Sequence, residues 1–504
     1  MPLKHRDANL ADLLAATSLL ALMLAGIAIV HGWILFTWPF WLDEYHTIFL
    51  AERGSLFSSM SDLRAGADFN PPLLYLIYRV IGRLTGPLTP ISVRVASFLM
   101  VWAAIVFLYL GLRRIVPRSA ALVGAFAVWC NLLTIQHAFD GRFYGPWLLC
   151  AALFAWSSGI DAGESVSRKR TVAVAVSSIL LCTIHYFAIL SLILLSAGWA
   201  IVITMRKQSW RRLLPVLAGP VALALCAPFY LGQRRALTVT TWIPSIDATQ
   251  IGDMLVSYFA STPLLIIVGM GLLGLAVLAI SRSDEISAFA RASVQLSPYL
   301  FLLLMPFAIM VISILVQPSM QSRYAIVAML GWGAVAAAAA FTLPRIIRLA
   351  LLGIIFYSSL EHVRIRADQV QVRKEIVDDE AAKVRPFLDE GLAILIPSRH
   401  SLYTIAGATG KPYQLLSPDF SDSTARARKF SPPMIIERDG GRVHNARYGF
   451  PLLARIDDPN PTSDLYLFLP SGRPDTEVSL WFPGMSVLPL GNQVFRIRRT
   501  AAQH

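Results

Sequence analysis

The chain has 504 residues, 56% of them hydrophobic and 15% charged, against roughly a quarter charged in ordinary soluble domains. That balance excludes one large water-soluble core. The formal net charge of +13 does not point to nucleic acid either. The basic residues fall in short clusters between apolar blocks of about 16 to 25 residues, the length that crosses a hydrocarbon layer of about 30 Å.

In chain order, membrane spans are expected at about 11–36, 92–112, 119–138, 145–160, 171–185, 187–205, 213–230, 263–281, 296–316, 325–342 and 347–360, about eleven helices in all. The first begins at a basic end but is longer than a signal-peptide core, so it is read as an uncleaved span. The clusters KHRD, RRIVPR, SRKR, RKQSWRR, SRSDE and PRIIR fall in alternate loops, which places them and the N-terminus in the cytoplasm. The intervening loops and everything after about 361 then lie outside. The four cysteines, Cys130, Cys150, Cys182 and Cys226, sit in apolar segments without metal-ligand spacing and imply no disulfide framework.

Residues 37–91 are too long for a connector. WLDEYHTIFLAERG and PPLLYLIYRVIGRLTG are apolar at helical spacing yet too short to span, which predicts two amphipathic helices at the membrane interface. The intervening SDLRAGADFNPP reads as a turn-rich break, with Pro71 and Pro72 setting the start of the second helix. From about 361 a polar helical stretch leads into strand-like runs at 391–398, 464–470, 477–482 and 492–499. The expected architecture is an all-α polytopic membrane domain over 1–360, with a small extramembranous α/β domain over 361–504.

Chemistry-bearing residues gather at the outer ends of these spans. Asp43 and Glu44 lie among four aromatics just past the first span, a setting that raises carboxyl pKa values and suits a general base, although a helix start also accounts for them. Asp68 and Asn70 precede the proline-fixed helix start. Asp140 and Arg142 share a short outer loop, where charges are costly unless paired or facing water. His185 interrupts an apolar stretch at another outer turn. Arg234, Arg235 and Arg323 run against the positive-inside trend, and guanidinium binds phosphate bidentately, so outer arginines suit an anionic lipid headgroup.

Asp43-Glu44, Asn70-Pro71-Pro72-Leu73-Leu74-Tyr75, Val93-Arg94-Val95-Ala96-Ser97, Asp140-Gly141-Arg142-Phe143-Tyr144, His185-Tyr186-Phe187 and Arg323-Tyr324 occur in this order. Over about residues 10–345 the series resembles the GT-C glycosyltransferases of the protein O-mannosyltransferase and aminoarabinose transferase superfamily. It is most similar to bacterial members such as the lipopolysaccharide galacturonosyltransferases, with Asn70 standing where many members carry His. The resemblance implies a GT-C fold in the bacterial inner membrane and a polyprenyl-phosphate-linked sugar donor. The acceptor would be lipopolysaccharide, lipid A, another envelope glycan or a protein. It implies Asp43 as the base of an inverting displacement, with Glu44 and Asp140 orienting acceptor or base. Arg142, His185, Arg234, Arg235 and Arg323 would stabilise the departing phosphate, supported by Tyr144 and Tyr324. No cofactor is implied, and a divalent metal is compatible with the sequence but not required by it.

Two other classes fit the composition. An O-antigen polymerase or ligase would carry its large outer loop late in the chain, whereas here it comes first. A transporter would favour mid-span charges and repeated halves.

Overall fold

The computed structural model describes residues 2–159, 168–236, 249, 251–252, 283–316, 318–391, 394–396, 401, 404–405, 408–409, 415–418, 452–453, 465–468, 485–491 and 493–499. The expected span at 263–281 and the expected strand at 477–482 lie outside them.

Among the described residues, five helices are long and apolar enough to cross a membrane: Leu10–Ile29, Pro90–Leu112, Ala188–Met205, Ser287–Leu315 and Arg345–Asp389. A sixth is gained if Trp210–Leu225 and Ala227–Arg234, bent by 42°, count as one span. The other expected spans within the described residues are shorter helices. The block at 119–138 is broken in two: α7 (Arg118–Trp129) stops at Cys130, and the Asn131 side chain accepts the Leu133 N–H to start α8 (Leu132–His137). Short helices persist because they are enclosed by protein. In α9 (Tyr144–Ser158) both Trp147 and Phe154 are fully buried. Glycine allows the closest helix approach. A Cβ on Gly333 in the helix Ala328–Phe341 would lie 2.8 Å from the Gly124 carbonyl oxygen of α7, and one on Gly124 would collide with the Gly333 carbonyl.

The long loop at 37–91 holds three helices, α3 (Leu42–Glu52), α4 (Leu56–Arg64) and α5 (Leu73–Thr85), one more than expected. The extra one is α4. The Ser55 hydroxyl accepts the Ser58 N–H at its start, and Leu63 buries its apolar side, so part of the stretch read as a break is helical. α5 begins directly after Pro72, as the proline pair predicts. α6 (Pro90–Leu112) opens on a Thr89 cap with proline at its first position.

The long helix α17 (Arg345–Asp389) runs 45 residues without interruption, about 68 Å at 1.5 Å per residue. It is therefore much longer than a span. The polar stretch beginning near 361 is the continuation of the span expected at 347–360, and the change in composition falls inside one helix. Its C-terminal end buries Val384 and Leu388 against Ile394, Phe468 and Val494 of a sheet. The strands β1 (Ile394–Leu395), β2 (Leu415–Pro418), β3 (Leu452–Leu453), β4 (Leu465–Phe468), β5 (Met485–Gly491) and β6 (Val494–Arg499) are ordered β3-β2-β1-β4-β6-β5. β1 pairs in parallel with β2 and β4, while β6 pairs antiparallel with β4 and β5.

Candidate active site

α3 starts with two carboxylates in its first turn, where the exposed N–H groups and the helix dipole favour negative charge. Glu44 reaches back to accept the Trp41 N–H at 3.1 Å. Its two oxygens also take Arg94 in a fork, at 3.0 and 2.9 Å, and Oε1 accepts the Gly141 N–H at 2.6 Å. Arg94 in turn donates to the carbonyls of Trp38, Pro39 and Phe139 and lies 4.0 Å over the Trp38 ring. Both side chains are 0% exposed. Glu44 was expected to orient the acceptor or the base; in the structure both its carboxylate oxygens accept from protein donors. The Gly141 contact also explains the glycine, because a Cβ there would collide with Val93 and sit 3.3 Å from Glu44 Oε1.

Arg142 ties the same loop to two other elements. Its Nη1 donates to the Asp43 carbonyl and the Thr47 hydroxyl, both at 2.8 Å, and its guanidinium pairs with Asp68 at 2.5 Å. Burial alone would push the Asp68 carboxyl up, but Arg142 outweighs it and holds Asp68 down at about 2. Asn70 lies 3.5 Å from Asp68 through its side-chain nitrogen, and its carbonyl accepts from Gln233 of the helix Ala227–Ala236. Asp140 is likewise buried. The His137 contact at 2.8 Å and the Arg366 pair at 3.0 Å overcome the cost of burial and hold its carboxyl at about 2.

Asp43 differs from these three carboxylates. Its side chain is 32% exposed, and Arg323 Nη1 stands 3.9 Å away. Arg323 lies on the short 3-10 turn Ser322–Ala325, with its guanidinium 5.5 Å from the Tyr324 ring. Tyr324 belongs to an aromatic wall with Phe143, His185 and Phe187. Tyr144 is buried beside His137, ring centroids 4.3 Å apart. His185 sits in the turn between the helices Arg168–Ile184 and Ala188–Met205, close to the rings of Phe143 and Trp147. Burial, with Arg142 adding to it, pushes its imidazole down to about 3. Nδ1 accepts the Phe187 N–H, so the neutral ring offers Nε2–H as a donor and carries no charge.

The structure thus gathers Asp43, Glu44, Asp68, Asn70, Asp140, Arg142, Tyr144, His185, Arg323 and Tyr324 at one end of the helices. Arg234 is exposed on the helix Ala227–Ala236, and it forms none of the contacts of this cluster. The Arg235 side chain lies outside the described residues. Among the described residues no group of three or more His, Cys, Asp or Glu side chains gathers as a metal site. Sequence reasoning gave no role to Arg94, Arg366, His137 or Thr47. A lone arginine inside an apolar span was the available signal for Arg94. Arg366 is one of several basic residues in a polar helix and had none.

No family model matches the sequence, and no curated protein does. Solved structures match it along nearly its whole length. ArnT from Cupriavidus metallidurans in the apo state covers 97% of this chain and 99% of its own, with a TM-score of 0.62 and 14% identity. The same protein bound to undecaprenyl phosphate covers 96% and 99%, with a TM-score of 0.60. The archaeal oligosaccharyltransferase AglB from Archaeoglobus fulgidus, in complex with an inhibitory peptide and a dolichol-phosphate, covers 96% of this chain and 74% of its own at a TM-score of 0.44. The chain is therefore a multi-pass membrane protein with the GT-C fold. Within that fold it is similar to ArnT, an aminoarabinose transferase.

Proposed function

We propose that this protein is a membrane glycosyltransferase that moves a sugar from a polyprenyl-phosphate-linked donor to a cell-envelope acceptor, on the outer face of the bacterial inner membrane. The observation that carries the reading is the Asp43–Arg323 pair. In an ArnT-like fold, it sets a half-exposed carboxylate opposite a guanidinium at the edge of an otherwise closed charge cluster. The donor class is supported by ArnT, which was solved with undecaprenyl phosphate bound. Lipid A, lipopolysaccharide core, another glycan and a protein remain the acceptor classes.

In this reading Asp43 takes the proton from the acceptor hydroxyl. The acceptor oxygen then bonds to the anomeric carbon as the bond from that carbon to the phosphate oxygen breaks, with inversion. Charge collects on the leaving phosphate, and Arg323, 3.9 Å from Asp43, stabilises it, with Arg234 and Arg235 as further candidates and Nε2–H of His185 as a neutral donor. Glu44, Asp68 and Asp140 hold the scaffold. Residues 361–504 form the outer portion beyond the 1–360 membrane domain.

The test uses purified protein in nanodiscs with polyprenyl-phosphate sugars. Asp43→Asn keeps size and fold but cannot accept the proton, so transfer is expected to fall about 10² to 10⁴-fold while donor binding survives. Near-normal turnover would make Asp43 structural and sink the mechanism. Mass spectrometry of envelope lipids from a deletion strain would name sugar and acceptor together. A reporter fused after Arg364 should be active only outside, and one at Lys207 only inside; the reverse would place Asp43 in the cytoplasm.

A further inference from the structure

Four consecutive residues, 139–142, join α3 to α6. The Phe139 carbonyl accepts from Arg94 at 3.0 Å, and the Asp140 carbonyl accepts the Ser97 hydroxyl at 2.7 Å. The Gly141 N–H donates to Glu44 at 2.6 Å, and Arg142 donates to the Asp43 carbonyl at 2.8 Å. Each successive residue thus fixes either the helix that carries Asp43 or the span behind it. The segment is itself irregular backbone, with no ladder or helix to hold its shape.

Its own anchor comes from far along the chain. The Asp140 carboxylate is held by two partners, with Oδ2 on His137 Nδ1 at 2.8 Å and Oδ1 on Arg366 Nη2 at 3.0 Å. His137 lies three residues away on the adjoining α8, so that bond is local. Arg366 belongs to α17, 226 residues distant in sequence, and its side chain is only 6% exposed. Its guanidinium shares the Trp38 ring with Arg94, 5.8 Å from the ring centroid. Four residues earlier on α17, His362 Nδ1 lies 2.7 Å from the Cys130 carbonyl oxygen, next to the break between α7 and α8. The long helix thus grips the same stretch of chain at two points.

We propose that Arg366 is a positioning residue. By tethering Asp140 it fixes segment 139–142, which sets α3 and therefore Asp43 in register for the reaction. The link to the reaction rests on the glycosyltransferase reading above; the link to the segment does not. Arg366 touches no reacting atom in this scheme and acts through Asp140, Gly141 and Arg142. A misplacement of the base by about 1 Å is enough to lower turnover on the order of 10²-fold.

The experiment compares full-length wild type, Arg366→Gln, Arg366→Lys and the charge-neutral pair Asp140→Asn/Arg366→Met in nanodiscs, with the exposed Arg364→Gln as control. Hydrogen exchange of peptides covering 139–142 reports the segment, and kcat and donor KM report the reaction. Arg366→Gln and the neutral pair are expected to exchange roughly tenfold faster or more in that segment and to lose kcat about 10 to 10²-fold with little change in donor KM. Arg366→Lys should recover most of both. The double variant leaves no unpaired buried charge and carries the test if Arg366→Gln fails to fold. Unchanged exchange in the neutral pair overturns the tether. Faster exchange with unchanged kcat overturns the link to the reaction. If wild type transfers no sugar from any polyprenyl-phosphate donor, the functional reading fails, while the exchange data still decide the tether.

Discussion

The two faces of α3 are built in opposite ways. On one, Glu44 is enclosed, its oxygens shared among Arg94, Gly141 and Trp41, with neither partner of the ion pair exposed. On the other, Asp43 keeps 32% of its side chain exposed and has its nearest charge partner, Arg323, at 3.9 Å. These are adjacent residues of the same charge in one helical turn. A carboxylate whose lone pairs are already occupied in a dry environment is scaffold, because removing a proton from a substrate would mean giving up existing bonds. One at an open edge is available for chemistry. Four carboxylates, Asp43, Glu44, Asp68 and Asp140, face four guanidiniums, Arg323, Arg94, Arg142 and Arg366, and only the first pair is loose.

Breaking the closed face should have the largest effect on stability. Arg94→Leu leaves Glu44 buried without its cation and strips the donor from three backbone carbonyls. A loss of about 3–5 kcal/mol is expected for such an orphaned charge. Thermal unfolding in detergent would show it as a large fall in Tm, and a wild-type Tm would mean that water or another donor replaces the guanidinium without difficulty.

The open face should respond in turnover, with stability little changed. Arg323→Lys keeps the charge but loses the planar fork that pairs with two phosphate oxygens. Turnover at saturating donor is expected to fall roughly tenfold, with expression and Tm kept. Arg211→Lys, an exposed change on the 3-10 turn Trp210–Leu217, should be silent. Equal activity in both variants would reduce Arg323 to a headgroup anchor and move the phosphate contacts to Arg142 and His185.

Much of this cluster was legible in the sequence because charge in an apolar chain is conspicuous. Asp43, Asp140, Arg142 and His185 each interrupt or end an apolar block, and their order carried the resemblance that the GT-C fold bears out. The partners were not legible. Nothing local couples Arg94 to Glu44 or Arg366 to Asp140, since those pairs form only when separate helices pack. The continuous α17 was hidden for a related reason. Composition changes near 361 partway along one continuous helix, and such a change looks like a domain boundary in sequence. α4 was masked by Asp62 and the small residues around it, whose helix is supported by the Ser55 cap and the burial of Leu63 against the rest of the loop.

The smallest expected effect concerns the wall between the two faces. His185 is held near pKa 3 by burial and by the positive charge of Arg142, against an opposing pull from Asp68, with Arg323 adding a smaller push downward. In the unfolded chain its value is about 6.5. Between these values the unfolded state binds the proton and the folded state does not, so this group makes stability rise with pH across the window and fall on acidification. From pH 8 to pH 6 the loss from this one residue is about 1 kcal/mol. His185→Phe fits among the rings of Phe143 and Trp147 but cannot titrate. Its absolute stability is lowered at every pH, because the Phe187 N–H loses its acceptor. The slope is what discriminates: melting curves at pH 8 and pH 6 should lie closer together for His185→Phe than for wild type. Equal slopes would show that the imidazole titrates alike in the folded and unfolded chain and is mostly protonated at pH 6. It would then face the opening as a cation beside Arg323, and the open side of the cluster would carry one more positive charge for the leaving phosphate.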